Sequence, residues 1–391
     1  MIDFTRARAD TPGAAARAFL DSAGSSLPPT VVTDTMIAHL RREAEIGGYR
    51  AALERQYELA DVRAAVAELI GAAPSDIALS DSATRSWSDF FFAVPLAPGD
   101  RILISRVEYA SNAIEALQRA EATGASVEIV PSDELGRIDL GRFEAMLDDR
   151  VKIVSVVHAP TNGGLVNPVR DVTELAHRHG ALVLLDACQS VGQLRIDVSE
   201  LGVDGLSATG RKWLRGPRGT GFLYVAPNAI DRLVPQVQDL RSAQWTGAGT
   251  YRSAGDATRF ELWEHDVAAR LGLGAAVRYL LGLGIDDVQT AVSERAEYLR
   301  AGLGEIAGVT VRDLGDRRSG IVTFTVDGYE PTEVRDVLAA DEITVTVSFA
   351  GSTRLDMEAR GLAAVVRASP HYFVSFDDLD RAIGAVRRLV T

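Results

Sequence analysis

Lysine is almost missing from this chain. Of 391 residues 41 are Lys or Arg, and only Lys152 and Lys212 are lysines. Arginine can replace lysine as a surface cation, but it cannot lose its proton to become an amine nucleophile. A lysine kept in so arginine-biased a chain is a candidate for chemistry. Cysteine is scarcer still: Cys188 stands alone, so no internal disulfide can form and a reducing compartment is expected. Positive charge is short, with a formal net charge of −13. That disfavours a nucleic acid or an anionic membrane as partner, since each needs a basic face. It leaves room for a small anion in a local basic pocket. No apolar run is long enough to span a bilayer. The start, Met1-Ile2-Asp3-Phe4-Thr5-Arg6, has no cationic stretch leading into an apolar one, so no signal peptide is expected and a cytoplasmic location is. The six histidines (His39, His158, His177, His179, His265, His371) lack zinc-ligand spacing, which argues against a metal.

What is present is ordinary for a soluble globular protein: 47% hydrophobic and 24% charged residues. The length suggests about two or three domains with a sizeable core. Between about 60 and 225, helical and strand-like segments alternate. The pattern predicts helices at 60–70, 82–94, 112–122 and 140–147. It predicts strands at 77–80, 102–105, 127–130, 152–157, 181–185 and 221–225. Continuous apolar strands between helices imply a mostly parallel sheet covered on both faces, with ligands at the strands' carboxyl ends. Residues 226–260 read as an irregular functional loop region. Helices are expected at 267–281, 286–303 and 376–389, with strands at 321–326, 344–347 and 372–374. The expected division is a large domain at 15–260 and a small C-terminal α+β domain at 261–391, with 1–14 packed on the latter.

Four clusters carry chemistry. Lys212 sits in Thr209-Gly210-Arg211-Lys212-Trp213, 26 residues after Asp186 in Leu184-Leu185-Asp186-Ala187-Cys188-Gln189. An acid at a strand end followed by such a lysine suggests a pyridoxal phosphate (PLP) site: the lysine amine holds the cofactor's aldehyde and the acid pairs with its ring nitrogen. Gln189 can bond the ring hydroxyl. Asp81-Ser82-Ala83-Thr84 follows a strand and opens a helix, whose free N–H groups suit a phosphate; alone it also fits an ordinary N-cap. Thr209 and Arg211 beside Lys212 can complete a phosphate cup. Arg367, in Val366-Arg367-Ala368-Ser369-Pro370-His371, offers a fork for a carboxylate, or a surface ion pair.

Together these segments resemble the class V aminotransferase family of fold-type I PLP enzymes, which includes cysteine desulfurases and isopenicillin N epimerase. The resemblance covers nearly the whole chain. It implies an α/β fold with a large domain on a mostly parallel seven-stranded sheet, a smaller C-terminal α+β domain, and a homodimer. It implies that Lys212 holds PLP, that Asp186 pairs with the ring nitrogen and that Gln189 touches the ring oxygen. It assigns phosphate to Ala83, Thr84, Thr209 and Arg211, and the substrate carboxylate to Arg367. It brings His158-Ala159-Pro160-Thr161-Asn162 near the ring, so His158 and Thr161 join the cofactor set. Where many members stack an imidazole on PLP, this chain has Glu108-Tyr109-Ala110-Ser111-Asn112, which makes Tyr109 the stacking ring. Where many have a Gly-Thr that reaches the neighbouring subunit's phosphate, it has Arg259-Phe260-Glu261-Leu262-Trp263-Glu264. No cysteine lies in the C-terminal part, where desulfurases keep a mobile thiolate; Cys188 reads as core.

Glu43-Ala44-Glu45-Ile46-Gly47-Gly48-Tyr49 and the run from Ser352 to Gly361 are similar to a narrower branch: the C–S lyases of ergothioneine metabolism and lincosamide antibiotic pathways. That makes Tyr49 and Arg354 candidate substrate-side residues. The resemblance implies a β-lyase acting on a cysteine S-conjugate, releasing a thiol or sulfenate, pyruvate and ammonia. Decarboxylating oxidative deamination, transamination and epimerisation share the same first chemistry and stay open. A catalytically dead binding protein on the same fold is a rival of another class. A nicotinamide oxidoreductase lacks its early G-x-G-x-x-G.

Overall fold

The computed structural model describes residues 2–390. The strands of the large sheet are β1 (Ile77–Ser80), β2 (Arg101–Ser105), β3 (Ser126–Val130), β4 (Val151–Val157), β5 (Leu182–Asp186), β6 (Gly205–Thr209) and β7 (Gly221–Val225). Their order across the sheet is β1-β7-β6-β5-β4-β2-β3. Only β7 runs against its neighbours; the other pairings are parallel. Every residue of β5, β6 and β7 is buried, as a sheet covered on both faces requires. The helices include α1 (Gln56–Ile70), α2 (Ala83–Ala93), α3 (Ala110–Thr123), α4 (Val169–Arg178), α5 (Val267–Leu283), α6 (Ile285–Gly304) and α7 (Phe376–Leu389). α2 lays Trp87, Phe90 and Phe91 into the core, with Trp87 and Phe91 stacked at 4.2 Å.

β6 was not expected as a strand. Gly205-Leu206-Ser207-Ala208-Thr209 has one large apolar residue and no β-branched run, so only its central place in the sheet makes it a strand. Gly205 is required there: a Cβ would lie 2.5 Å from the Phe90 ring. The predicted loop at 226–260 contains an antiparallel hairpin, Ala243–Gly247 with Thr250–Ser253. A long helix, Thr30–Ile46, and a short one, Gly48–Glu54, precede α1 and had no counterpart in the prediction.

The second sheet has the order β8-β9-β11-β10, from β8 (Val309–Val311), β9 (Val322–Val326), β10 (Thr346–Phe349) and β11 (Ala364–Ala368), all antiparallel. The strand expected at 372–374 is a buried turn instead, and β11 lies just before it. α5 packs on α1 and on the helix Thr30–Ile46, whereas α6 packs on α7. The N-terminal segment is tied to the C-terminal part: Arg8 Nη1 reaches Asp378 Oδ2 at 2.7 Å, and Ala18–Phe19 pairs in parallel with Ile343–Thr344. No single helix among the described residues is long and apolar enough to cross a membrane.

Candidate active site

The carboxyl ends of β4, β5 and β6, the turn after β2 and the N-terminus of α2 surround a cavity of about 260 Å³. Asp186, the last residue of β5, is buried in its wall. Oδ1 accepts the Cys188 backbone N–H at 2.9 Å and Oδ2 accepts Asn112 Nδ2 at 3.0 Å. Among the described residues no cation forms an ion pair with this carboxylate, so a cationic ring nitrogen is the partner its charge lacks.

Lys212 lies at the same end of the sheet, in the turn that follows β6, the parallel neighbour of β5. The turn is rigidly seated. Arg215 N donates to Lys212 O, Trp213 Nε1 donates to Gln189 Oε1 at 2.9 Å, and Trp213 O accepts His371 Nε2 at 3.0 Å. His371 Nδ1 accepts the Tyr372 N–H, which fixes the tautomer. Arg215 takes a positive φ of 60° and spends its guanidinium on Leu27 O and Tyr372 Oη. The Lys212 ammonium faces the cavity and forms no hydrogen bond or ion pair among the described residues. Burial, joined by the like charges of Arg211 and Arg367, holds its pKa below the usual lysine value despite the pull of Asp186. An amine with a lowered pKa and no partner is suited to attack a carbonyl.

The N-terminus of α2 supplies the anion end. Ser82 Oγ caps the helix by accepting Arg85 N, while Ala83 and Thr84 line the cavity with their N–H groups in the unbonded first turn. β7 passes directly beneath: a Cβ on Gly221 would sit 2.6 Å from Ser82 C and 2.9 Å from Ala83 N. Thr209 and Arg211 complete this end, with Arg211 Nη1 on Thr209 Oγ1 at 3.2 Å. Arg218, which was not singled out from sequence, lines the same space.

Tyr109 stands at the N-cap of α3 and lines the cavity, as does Thr161. Gln189 also lines it, but both hydrogens of its amide are donated elsewhere, to Ala23 O at 3.0 Å and Thr161 Oγ1 at 3.2 Å. Thr161 Oγ1 accepts from Gln189 and from Arg367, so its own hydrogen is the donor left for the cavity. Gln189 therefore orients Thr161 where direct contact was expected. Arg367 is buried behind Thr161: Nη1 binds Thr161 Oγ1 at 2.7 Å, Nη2 binds Asp21 Oδ1 at 3.1 Å, and Nε is buried without a partner. Nη1 also reaches Thr161 O at 3.3 Å, which leaves the Nε hydrogen and one Nη2 hydrogen of the guanidinium unspent. Asp21, which sequence reasoning passed over, is its resident counter-charge. Burial raises the Asp21 pKa, against the pull of Arg367.

Four expected residues are absent from the cavity wall: Arg367, buried behind Thr161, and His158, Tyr49 and Arg354. His158 is buried but absent from the cavity wall, which is lined on either side of it by Val157 and Ala159. Alternation along the strand end turns its side chain away. Burial, with Arg317 as a like charge, pulls its pKa down to about 3, so the ring is neutral. Tyr49 is 82% exposed on the helix Gly48–Glu54. Arg354 is exposed and pairs with Glu358, one helical turn on. Neither reaches the cavity within this chain. Cys188, expected in the core, instead forms part of the cavity wall. Burial and Asp186 push its thiol pKa up, away from a thiolate. Asn112 and Glu108 were quoted in sequence only as neighbours of Tyr109.

An amine without a partner, a facing carboxylate without a cation and a helix N-terminus at the far end match the aldehyde, ring nitrogen and phosphate of PLP, so the residues fit that group. The class this defines is a fold-type I PLP enzyme. Comparison with known proteins agrees. A family model described as Aminotransferase class-V matches residues 18–382. A probable cysteine desulfurase of Mycolicibacterium paratuberculosis is 31% identical over 388 residues, covering 95% of this chain and 55% of that protein. Another, from Halalkalibacterium halodurans, is 34% identical over 291 residues, covering 73% of this chain and 70% of that one. The chain thus spans little more than half the length of the first of these relatives. The apo cysteine desulfurase of Thermococcus onnurineus has the same fold, with a TM-score of 0.90 at 24% identity, covering 100% of this chain and 98% of that one. So has the cystine C–S lyase C-DES in complex with its product cysteine persulfide, with a TM-score of 0.86 at 24% identity, covering 96% and 99%. The chain belongs to the class V aminotransferase family of PLP-dependent enzymes.

Proposed function

We propose that this chain is a PLP-dependent C–S β-lyase acting on a cysteine S-conjugate, as a homodimer. One observation carries the choice of bond. The site holds an amine poised for proton transfer but no thiolate to accept sulfur: the single cysteine is Cys188, buried beside Asp186 with its thiol pKa raised. A persulfide-forming desulfuration has no carrier here, whereas elimination of an S-substituent needs none.

In this reading PLP, when bound, supplies an electron sink for the bond broken at the substrate α-carbon. Arg367, behind Thr161, takes the substrate carboxylate in exchange for Asp21, its resident counter-charge. Thr161, fixed by Gln189 and Arg367, donates its hydrogen toward the ring oxygen. Asp186 keeps the ring nitrogen cationic. Lys212 Nζ, with its lowered pKa, removes the α-proton and holds it while the thiol or sulfenate leaves the β-carbon. A dimer accords with the exposed aromatic side chains of Tyr49, Tyr57, Trp245, Tyr251 and Trp263, more than an isolated surface usually leaves uncovered.

The test is product analysis by mass spectrometry after the PLP-loaded protein meets a panel of cysteine S-conjugates, a sulfoxide and an ergothioneine-type conjugate among them. The expected products are pyruvate, ammonia and a free thiol or sulfenate. An aldehyde shortened by carbon dioxide, with sulfur still attached, overturns β-elimination in favour of decarboxylating deamination. A keto acid that still carries the S-substituent, or an inverted α-carbon, points to transamination or epimerisation.

A further inference from the structure

The carboxylate opposite the ring nitrogen does not stand alone. Asn112 Nδ2 bridges two acids, donating to Asp186 Oδ2 at 3.0 Å and to Glu108 Oε1 at 2.9 Å. Glu108 sits in the turn between β2 and α3 and is 1% exposed. Oε1 also accepts the Tyr109 N–H at 3.1 Å, while buried Oε2 has only the Ser155 hydroxyl close by, too poorly placed for a full hydrogen bond. No cation pairs with it among the described residues. The one charged group facing it is Asp186 on β5; Asn112 on α3, Ser155 on β4 and the Tyr109 N–H are its polar neighbours. A charge in that position is costly, because it is desolvated, half satisfied and beside another anion. A proton on Glu108 removes the cost, and so does a cation arriving at Asp186.

We propose that Glu108 is a positioning residue for the cofactor: through Asn112 and Asp186 it acts as a second, titrating counter-charge to the ring nitrogen, and tightens the hold on PLP as it ionises. This rests on Asp186 being the ring-nitrogen partner. The Glu108 pKa is in range to matter, pushed up to about 7 by burial and by Asp186 against the pull of Asn112, Ser155 and the Tyr109 N–H. Below that pH Glu108 is the neutral acid and adds no field. Above it the extra negative charge favours a cationic ring nitrogen beside Asp186, and that nitrogen in turn relieves the repulsion between the two carboxylates.

The experiment is equilibrium binding of PLP to the apo form of the wild-type protein and of Glu108→Gln, followed by absorbance or quenching of intrinsic fluorescence at pH 6 and pH 8.5. Titration of the PLP phosphate and of Lys212 is common to both proteins and cancels in the ratio of their Kd values. That ratio is expected near one at pH 6, and several-fold in favour of wild type at pH 8.5. Glu108→Asp, which keeps a titrating carboxyl, is expected to retain the pH-dependent gain. Glu108→Ala serves as the uncharged variant should Glu108→Gln not fold. A ratio equal at both pH values means a purely structural Glu108 and overturns the proposal. A wild-type protein that binds no PLP at either pH overturns the cofactor assignment beneath it.

Discussion

At the scale of single residues, the site depends on groups left deliberately short of partners. The Lys212 amine, the Asp186 charge and the Arg367 Nε each lack what a structural residue would have. Lys212→Ala is expected to abolish turnover and the absorbance of lysine-bound cofactor while the fold persists; a visible spectrum together with retained activity contradicts the assignment. Arg367→Lys is expected to raise KM for an amino-acid substrate by roughly tenfold or more with a smaller change in kcat, because a point cation cannot keep Thr161 and Asp21 and also take a carboxylate. Steady-state kinetics distinguish this from a general loss, in which kcat falls instead. Lys212, Asp186 and Arg367 were legible because each is an uncommon residue type in a meaningful place. His158, Tyr49 and Arg354 were misplaced because residue type carries no direction. Alternation past Val157 turns His158 off the wall, and nothing in sequence marks Tyr49 as lying on an outer helix.

At the scale of elements, close approach sets the geometry. β7 and the start of α2 meet at Gly221, where any side chain collides with backbone. Gly221→Ala is expected to push the α2 N-terminus away from β7. It should weaken PLP binding and cost about 1–3 kcal/mol in stability, read from a binding titration and a denaturant melt; unchanged values in both would refute this packing. Glu261 plays the matching role outside the cavity. Its buried carboxylate takes the Leu79 N–H at 2.9 Å, Arg63 Nη2 at 2.6 Å and Arg241 Nε at 3.1 Å, so it joins α1, β1 and the segment before the hairpin. Burial alone would raise its pKa; Arg63 and Arg270 outweigh that and hold it below the usual carboxylate value. With the folded value depressed, its contribution is complete above the unfolded pKa and lost as pH falls through the folded one. Glu261→Gln is therefore expected to cost about 3–5 kcal/mol at neutral pH and to flatten the acid limb of the stability curve below about pH 4. Urea melts at several pH values check both. Of the helices, α1, α2, α3, α5, α6 and α7 could be read from sequence, as could every strand of the large sheet but β6, because their apolar period survives burial. β6 and β11 could not, since Gly205-Leu206-Ser207-Ala208-Thr209 and Ala364-Val365-Val366-Arg367-Ala368 become strands through their sheet neighbours.

At the scale of the whole molecule, two sheets are joined across one seam. The seam runs from the N-terminal segment through Arg215 and His371 to the turn that presents Lys212. Neither the seam nor the hairpin at 243–253 was visible in sequence: the seam consists of contacts between segments far apart in the chain, and the hairpin strands Ala243-Gln244-Trp245-Thr246-Gly247 and Thr250-Tyr251-Arg252-Ser253 carry no alternating apolar pattern. The exposed Trp245 and Tyr251 of that hairpin suit a second copy of the chain, and sedimentation equilibrium is expected to give twice the 41.9 kDa chain mass. A single-chain mass would leave these aromatics unexplained and remove the dimer from the account. The central claim is narrower: one amine, in one cavity, holds the cofactor. With only two lysines in the chain, borohydride reduction of the PLP-loaded protein followed by peptide mass mapping tests it directly. The account predicts a phosphopyridoxyl group on Lys212 and none on Lys152; a modified Lys152, or a chain that carries no such group at all, would contradict it.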